Sequence, residues 1–316
     1  MLKVGVVGCG GISGAHVPAW QKMEDVELVA VCDIRPEKTE RYSCPKTYTD
    51  FDRMLDENEF DIIDVCLPTF LHCEFAVKAM NKGINVLSEK PISLKESDVE
   101  LLYSTARKNN VKYMVAQVLR FWSEYEVLKQ IYETKKYGKL LSGSMWRLGG
   151  YPSGGWNNWY HNRELSGSIP FDLHIHDLDF LIYAFGEPEN ISLNRKELPD
   201  QDYLSAVYSY GDFFITAEAS WFKAKYPFYM GFRFQFEEAV LAFERDGLTI
   251  YECDGSRIRP CESGSENESD FELPSGDAYA NEIRYFADCV KYDRPVEKVT
   301  EESLLAALKI LISFNK

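Results

Sequence analysis

The sequence predicts two domains of different class: an α/β domain over residues 1–120 with a doubly wound parallel sheet, and an α+β domain over residues 121–316 built on a largely antiparallel open sheet. Three observations carry this. Over the first 120 residues β-branched apolar runs alternate with helical stretches, the order that gives parallel strands joined by crossover helices. In the second half, runs such as Phe232-Arg233-Phe234-Gln235-Phe236 alternate apolar and polar residues, and short turns such as Tyr210-Gly211-Asp212 join antiparallel neighbours. Finally, 316 residues exceed what one core usually holds.

The first strand, Leu2 to Val7, breaks into Gly8-Cys9-Gly10-Gly11-Ile12-Ser13-Gly14 before a helical stretch. Glycines there let the backbone turn tightly and approach a pyrophosphate seated on the helix amino terminus, so Gly8, Gly10, Gly11 and Ile12 are expected to line a dinucleotide. The next strand, Val26 to Cys32, ends in Asp33, twenty residues beyond Ser13. A carboxylate at that place accepts hydrogen bonds from both hydroxyls of an adenosine ribose and repels a 2′-phosphate. Strand, glycine turn, helix, strand and acid together predict a Rossmann domain that binds NAD in preference to NADP. Arg35 either offsets part of that repulsion or covers the adenine.

A third strand, Asp61 to Leu67, is stopped by Pro68. Leu67, Pro68, Thr69 and His72 then stand at the ligand-facing edge, at the start of a helix that Gly83 closes. His72 taken alone also fits a capping or core histidine. Asn85-Val86-Leu87-Ser88-Glu89-Lys90-Pro91 is a short buried strand ending in an acid, a base and a rigid turn. Pro91 sets its own φ and biases Lys90 away from helix, which holds Glu89 and Lys90 at the carboxyl edge where open α/β sheets bind ligands. In isolation the same tripeptide fits a surface turn with two solvated charges. Ser93 and Glu96 form a capping box for the next helix, and strand Lys112 to Ala116 leads to Gln117 and Arg120.

The second half opens with a helix from Ser123 to Lys135. Strands are expected at Leu141 to Leu148, Leu204 to Tyr210, Phe213 to Trp221, Tyr229 to Phe236 and Ala239 to Arg245. An aromatic-rich sheet face left open would be covered by subunit contact, giving a homodimer or homotetramer through the C-terminal sheet. On a helix from Phe171 to Phe185, Asp172 and His176 are four apart on one face, so the carboxylate can orient the imidazole, which titrates near ~6.5 and suits a base for a hydroxyl proton. His174 lies off that face. Asp172, His174, His176 and Asp177 are a concentrated set of possible metal ligands, but histidines at i and i+2 diverge on a helix, so no metal is expected. The loop Gly149 to His161 suits a polyhydroxylated ring, with Trp159 and His161 as substrate contacts; its aromatics equally suit pinning the loop to the core. Cys261 to Asp277 is a polar acidic excursion expected to be a mobile loop, and helices Ala278 to Val290 and Thr300 to Phe314 close the chain.

A net charge of −15 argues against nucleic acid and anionic membrane as partners, since either needs a basic face. No apolar run approaches ~18 residues and no leader precedes the first strand, so a cytoplasmic protein is expected. The eight cysteines form no C-x-x-C pair and fit small buried hydrophobes in a reducing compartment.

The chain resembles the Gfo/Idh/MocA oxidoreductases, the family of glucose-fructose oxidoreductase and inositol dehydrogenase. Its marks are the turn from Gly8 to His16, the Pro68 to His72 turn, Glu89-Lys90-Pro91, Gln117 with Arg120-Phe121, and Gly167-Ser168-Ile169-Pro170-Phe171-Asp172-Leu173-His174-Ile175-His176-Asp177-Leu178-Asp179. The resemblance implies that Lys90 is the active-site lysine, that Asp172 and His176 face it across a domain cleft, and that Gly8, Gly10, Ile12, Asp33, Pro68, Thr69, His72, Glu89 and Gln117 surround the dinucleotide. It puts Lys90, Arg120, Asp172 and His176 toward substrate, beside Trp159 and His161 from the reading of the 149–161 loop. Two positions depart from the family pattern, His174 where glycine is usual and Thr69 where asparagine is usual. The implied activity is NAD-dependent oxidation of a secondary hydroxyl of a sugar or cyclitol, with Lys90 and His176 able to exchange proton-transfer roles. Two other readings stand beside it: an NAD-holding regulator without turnover, and an enzyme that uses tightly held NAD transiently for elimination or glycoside hydrolysis.

Overall fold

A computed structural model describes residues 1–152, 155–262 and 277–316. Most of the acidic excursion therefore lies outside the described residues. The chain divides into two compact units.

The first unit begins with β1 (Leu2–Val7), α1 (Ser13–Gln21), β2 (Val26–Cys32), α2 (Pro36–Thr39), β3 (Lys46–Tyr48), α3 (Phe51–Asp56), β4 (Ile62–Val65), α4 (His72–Met80), β5 (Asn85–Glu89), α5 (Glu96–Asn109) and β6 (Tyr113–Ala116). Its sheet runs β3-β2-β1-β4-β5-β6, every pair parallel. β4 and β6 are buried along their whole length, as expected for strands covered on both faces. The strand order reverses between β1 and β4, so the carboxyl ends of these two strands flank the switch point where such sheets bind ligands. The capping box expected at Ser93 does not form. Lys95 is extended at the N-cap, the helix starts only at Glu96, and the Ser93 hydroxyl instead accepts the Lys95 N–H at 3.2 Å and donates to Asp98.

The second unit holds α6 (Ser123–Thr134), β7 (Leu140–Gly150), a short α7 (Arg163–Ser166) that also contributes residues to the first unit, and α8 (Ile175–Phe185). It continues with β8 (Asn190–Leu198), β9 (Gln201–Tyr210), β10 (Phe213–Phe222), β11 (Tyr229–Phe236), β12 (Ala239–Glu244), β13 (Gly247–Glu252) and β14 (Arg257–Ile258). The sheet runs β14-β13-β12-β11-β7-β10-β9-β8 and is antiparallel except where β10 pairs with β7. Strands β8, β13 and β14 were not expected from the sequence.

The open sheet face carries both polar residues and aromatics, Trp146, Tyr203, Phe214, Tyr229 and Tyr251 among them. Period-two alternation sends Tyr208, Phe232, Phe234 and Phe236 to one side, where they are buried, with Tyr125 of α6 edge-on to Phe232 at 5.1 Å and to Phe180 of α8 at 4.9 Å. The other side carries Ser144, Ser205, Thr216 and Glu218 at partial exposure, with Tyr203 and Phe214 exposed.

The closing helices α9 (Ala278–Lys291) and α10 (Glu301–Phe314, up to Ile312) belong to the first unit rather than to a second domain spanning 121–316. Arg284 of α9 donates to Asp25 at 2.7 Å, and Lys112 pairs with Asp293 at 2.8 Å. An amphipathic pattern shows that a helix has a face to bury but not which sheet buries it. Asp277 caps α9 through the Tyr279 N–H, and Thr300 caps α10 through the Ser303 N–H. All eight cysteines are free, and among the described residues no helix is long and apolar enough to cross a membrane.

Candidate active site

In the first unit the expected dinucleotide residues gather at the carboxyl edge of the sheet. Gly8 has φ +92, and a Cβ there would lie 2.4 Å from the Cys66 carbonyl oxygen at the end of β4, so only glycine fits where β1 and β4 meet. Gly10 and Gly11 differ, because a Cβ at either would meet no protein atom within 4 Å; internal packing does not demand them. Ile12 occupies the N-cap of α1 with no side-chain cap, which leaves helix-end N–H groups suited to an anion. Ser13, at the third fingerprint position, is buried and donates back to Gly10 O at 2.9 Å, closing the turn.

Asp33 accepts the Cys9 N–H at 2.9 Å and the Arg35 N–H at 2.9 Å, and the Arg35 guanidinium grips both carboxylate oxygens at 3.0 and 3.2 Å. Burial works against the ionised carboxylate, but Arg35 and the two backbone donors outweigh it and hold its pKa below the ordinary value. Arg35 is thus a partner of Asp33. Sequence reasoning missed Arg41, whose guanidinium donates to Gly10 O, to Ser13 Oγ at 2.9 Å and to Tyr42 OH at 2.6 Å, bracing the glycine turn from outside.

Leu67 and Pro68 lead into a 3₁₀ turn over Thr69–Leu71, with Thr69 buried. His72 is fully buried and spans two turns: one ring nitrogen lies 2.8 Å from Leu67 O, the other 2.8 Å from Pro91 O. Burial lowers its pKa against the pull of both carbonyls. The His72 ring therefore sits between the Pro68 turn and the lysine turn, against a carbonyl oxygen of each, and as a neutral ring donates to one of them. Glu89 accepts the Lys90 N–H at 3.1 Å, and Lys90, partly exposed, precedes Pro91 in a cis peptide. Gln117, just past β6, is buried, and its side-chain N–H group has no hydrogen-bond partner among the described residues. A buried orphan amide is costly unless a ligand satisfies it, and the carboxamide of a nicotinamide is such a ligand. Glycine turn, acid and orphan amide together fit NAD.

In the second unit the motif from Gly167 does not form a uniform helix. Residues Pro170–His174 wind as a π-helix, and α8 follows from Ile175. Ionisable groups along it have distinct environments. Asp179 is buried and takes a two-point grip from Arg120 at 2.8 and 2.6 Å; Arg120 is itself only 1% exposed and stacks on Tyr183. Arg120, expected as a substrate contact, is buried and pairs with Asp179. Asp177 is buried against Arg147 at 3.0 Å, and burial raises its pKa against the pull of that arginine. His174 is buried, bonds Tyr208 OH at 2.5 Å, and is pushed by burial and by Arg147 down to about 3. Asp172 and His176 remain partly exposed. Asp177 and His174 are thus drawn to different partners, Arg147 and Tyr208.

In the 149–161 loop, Tyr151 and Tyr160 pack against Ile169, Leu204, Ala219 and Trp221, so these two pin the loop. Trp159 is partly exposed and stacks on Tyr160 at 4.0 Å. His161 is exposed, with Nε2 2.8 Å from Pro152 O. Ser153 and Gly154 lie outside the described residues.

A reversed-order parallel sheet with this glycine turn and ribose-type acid defines a dinucleotide-binding protein of Rossmann class. The sequence model described as the oxidoreductase family with an NAD-binding Rossmann fold, Gfo/Idh/MocA, matches residues 2–117, and the model of that family's C-terminal domain matches residues 125–241. The chain belongs to this family, and residues 2–117 are its NAD-binding domain. It is 30% identical over 195 residues to glucose-6-phosphate 3-dehydrogenase of Bacillus subtilis, covering 58% of this chain and 54% of that one. It is 29% identical over 201 residues to D-glucoside 3-dehydrogenase of Escherichia coli, covering 61% and 56%. The chain thus spans about half the length of these curated relatives. A levoglucosan dehydrogenase solved with NADH and levoglucosan shares the fold, with a TM-score of 0.80 at 19% identity over 99% of this chain and 96% of that one.

Proposed function

We propose that this protein is a dehydrogenase that oxidises a secondary hydroxyl of a sugar or cyclitol, using NAD in preference to NADP. The observation that carries the reading is the division of labour along Pro170–Phe185: Asp177, Asp179 and His174 are buried with protein partners, while Asp172 and His176 stay partly accessible. A helix that sinks three polar groups and presents an acid and a histidine suits proton transfer with an outside molecule. NAD, when bound, accepts the hydride. His176 takes the hydroxyl proton, Asp172 orients and supports the imidazole, and the Lys90 ammonium donates to the oxygen as charge develops on it. Lys90 and His176 can exchange the first and third of these roles. Trp159 and His161 are our choices for contacts to the sugar ring.

A screen of polyols and sugars with NAD and NADP, followed by reduced-nicotinamide absorbance, tests this. Steady reduction of NAD by at least one polyol or sugar is the expected result; product formation without net reduction, or tight NAD binding with no turnover on any of them, would replace it with the elimination or regulator reading. The proposal includes self-association as a homodimer or homotetramer through the second sheet, where Tyr203 and Phe214 remain exposed. Light scattering that gives a monomer at micromolar concentration removes that part. Eight free thiols suit a reducing compartment, and we place the protein in the cytoplasm.

A further inference from the structure

His16 stands in the first turns of α1 with its ring fully buried. Its Nδ1 lies 2.9 Å from Asp64 Oδ2, in the middle of β4, and its Nε2 lies 2.9 Å from Glu89 Oε1, at the end of β5. A neutral imidazole has one ring hydrogen and can donate to one acceptor only. With a carboxylate oxygen at each nitrogen, the arrangement is satisfied when both nitrogens carry hydrogen. Burial alone disfavours that charged ring, but the Asp64 carboxylate more than reverses the penalty and holds the pKa of His16 well above its ordinary value. The other groups facing the ring are the Cys66 thiol, kept protonated by burial and by Asp64, and the Tyr279 ring of α9 at 6.2 Å.

His16, Asp64 and Cys66 come within 4.8 Å of one another, yet they do not read as a metal site. Both imidazole nitrogens are engaged, Asp64 Oδ2 also accepts the Trp20 indole N–H at 2.7 Å, and the thiol keeps its proton. What the cluster does is connect. Glu89 uses its second oxygen to accept the Lys90 N–H at 3.1 Å, so a continuous line of hydrogen bonds runs from Trp20 and Asp64 through His16 and Glu89 to the backbone of Lys90.

We propose that His16 is a positioning residue for Lys90: its imidazolium ties Asp64 to Glu89, and through Glu89 one buried ring holds the lysine turn against the helix that follows the glycine turn. The proposal rests on the role given to Lys90 above and deepens it. Without the ring's positive charge two buried carboxylates face each other uncompensated, Glu89 rotates away, and the Lys90 backbone loses its acceptor.

Nitrogen-15 NMR of the full-length protein tests the bridge with no substrate, so it stands or falls apart from the dehydrogenase reading. Two ring N–H signals for His16 that persist from pH 6 to 9 are expected; a single N–H with neutral-imidazole shifts at pH 7 overturns the proposal. Turnover tests the positioning. His16→Gln should lower kcat tenfold or more while KM and the Kd for NAD change less than threefold. Adding Asp64→Asn should bring kcat back to within threefold of wild type, because the new amide at 64 can donate to the new amide oxygen at 16 and leave an N–H for Glu89. A purely structural role predicts the opposite, a second buried change adding to the first. Wild-type turnover in His16→Gln, or a double variant slower than the single one, overturns the proposal. Should His16→Gln fail to fold, the NMR titration decides.

Discussion

Buried charge is used differently in the two units. In the first, buried polar side chains pair with one another and also reach the backbone of turns: Asp33 holds Arg35 and accepts the Cys9 N–H, the His72 ring lies against the Leu67 and Pro91 carbonyls, and Glu89 pairs with His16 and accepts the Lys90 N–H. Each of these backbone atoms belongs to a turn at the carboxyl edge of the sheet. In the second, the buried ions close on one another, Arg120 with Asp179 and Arg147 with Asp177, and tie the segment after β6 and strand β7 to α8. A side chain that binds a turn's backbone shapes a surface presented to a ligand. One that binds another side chain anchors an element. The contrast explains why, along Pro170–Phe185, Asp177 and Asp179 read as architecture, while Asp172 and His176 are the residues proposed above for the chemistry.

The comparison can be broken most severely at His176. His176→Ala should fold normally and bind NAD as wild type does, yet lose ~10²- to 10⁴-fold in turnover, the scale of general-base catalysis; stopped-flow or steady-state assays on the substrate found by the screen check this. If Asp177 is an anchor, Asp177→Ala should instead cost about 3–5 kcal/mol of stability, because it strands the Arg147 guanidinium in a buried site. Urea unfolding measures it, and an unchanged midpoint with lost activity would exchange the roles of the two acids.

Acid sharpens the same contrast. His174 is held at about 3 when folded, against ~6.5 when unfolded. Between those values the unfolded chain binds more protons, so this contribution to stability is fully present above ~6.5 and is lost as pH falls toward 3. Going from pH 7 to pH 4 should cost wild type roughly 3 kcal/mol more than it costs His174→Gln. Comparing the two proteins isolates His174 from Asp177, whose burial acts in the other direction. The smallest effect is expected at Asp33: Asp33→Asn should erase a preference for NAD over NADP of about 1–3 kcal/mol, roughly tenfold or more in affinity. Binding titrations read it directly, and NADP binding to wild type as tightly as NAD would assign Arg35 to a 2′-phosphate.

Much of the first unit was legible because covered parallel strands are continuous apolar runs and their turns are marked by Gly8, Pro68 and Pro91. Asp64 was legible and went unused: an acid inside Ile62-Ile63-Asp64-Val65 must be buried, and a buried acid implies a partner. Strand β8 was hidden because its inward positions include Arg195, whose charge is met by Asp202 across the hairpin at 2.6 Å and by Glu197 at 3.1 Å. β13 carried a signal in Asp246-Gly247, next to the two-residue loop Arg245-Asp246 between paired Glu244 and Gly247. The return of α9 to the first unit, where it packs on α1, the π turn at Pro170 and the burial of Arg120 left no local mark, since each depends on contacts distant in sequence.

The parallel pairing of β7 with β10 requires a crossover, and residues 151–212 supply it: α7, α8, β8 and β9 form most of it, and the irregular part is the loop over 151–162. Closing such a segment has an entropy that grows only with the logarithm of its length, about 0.6 kcal/mol for each doubling. The sheet therefore exerts little pressure on how long that segment is. Residues can be added to the 151–162 loop or removed from it over evolutionary time while the strands of the sheet keep their register, so the loop proposed above to meet the substrate is under little constraint from the fold.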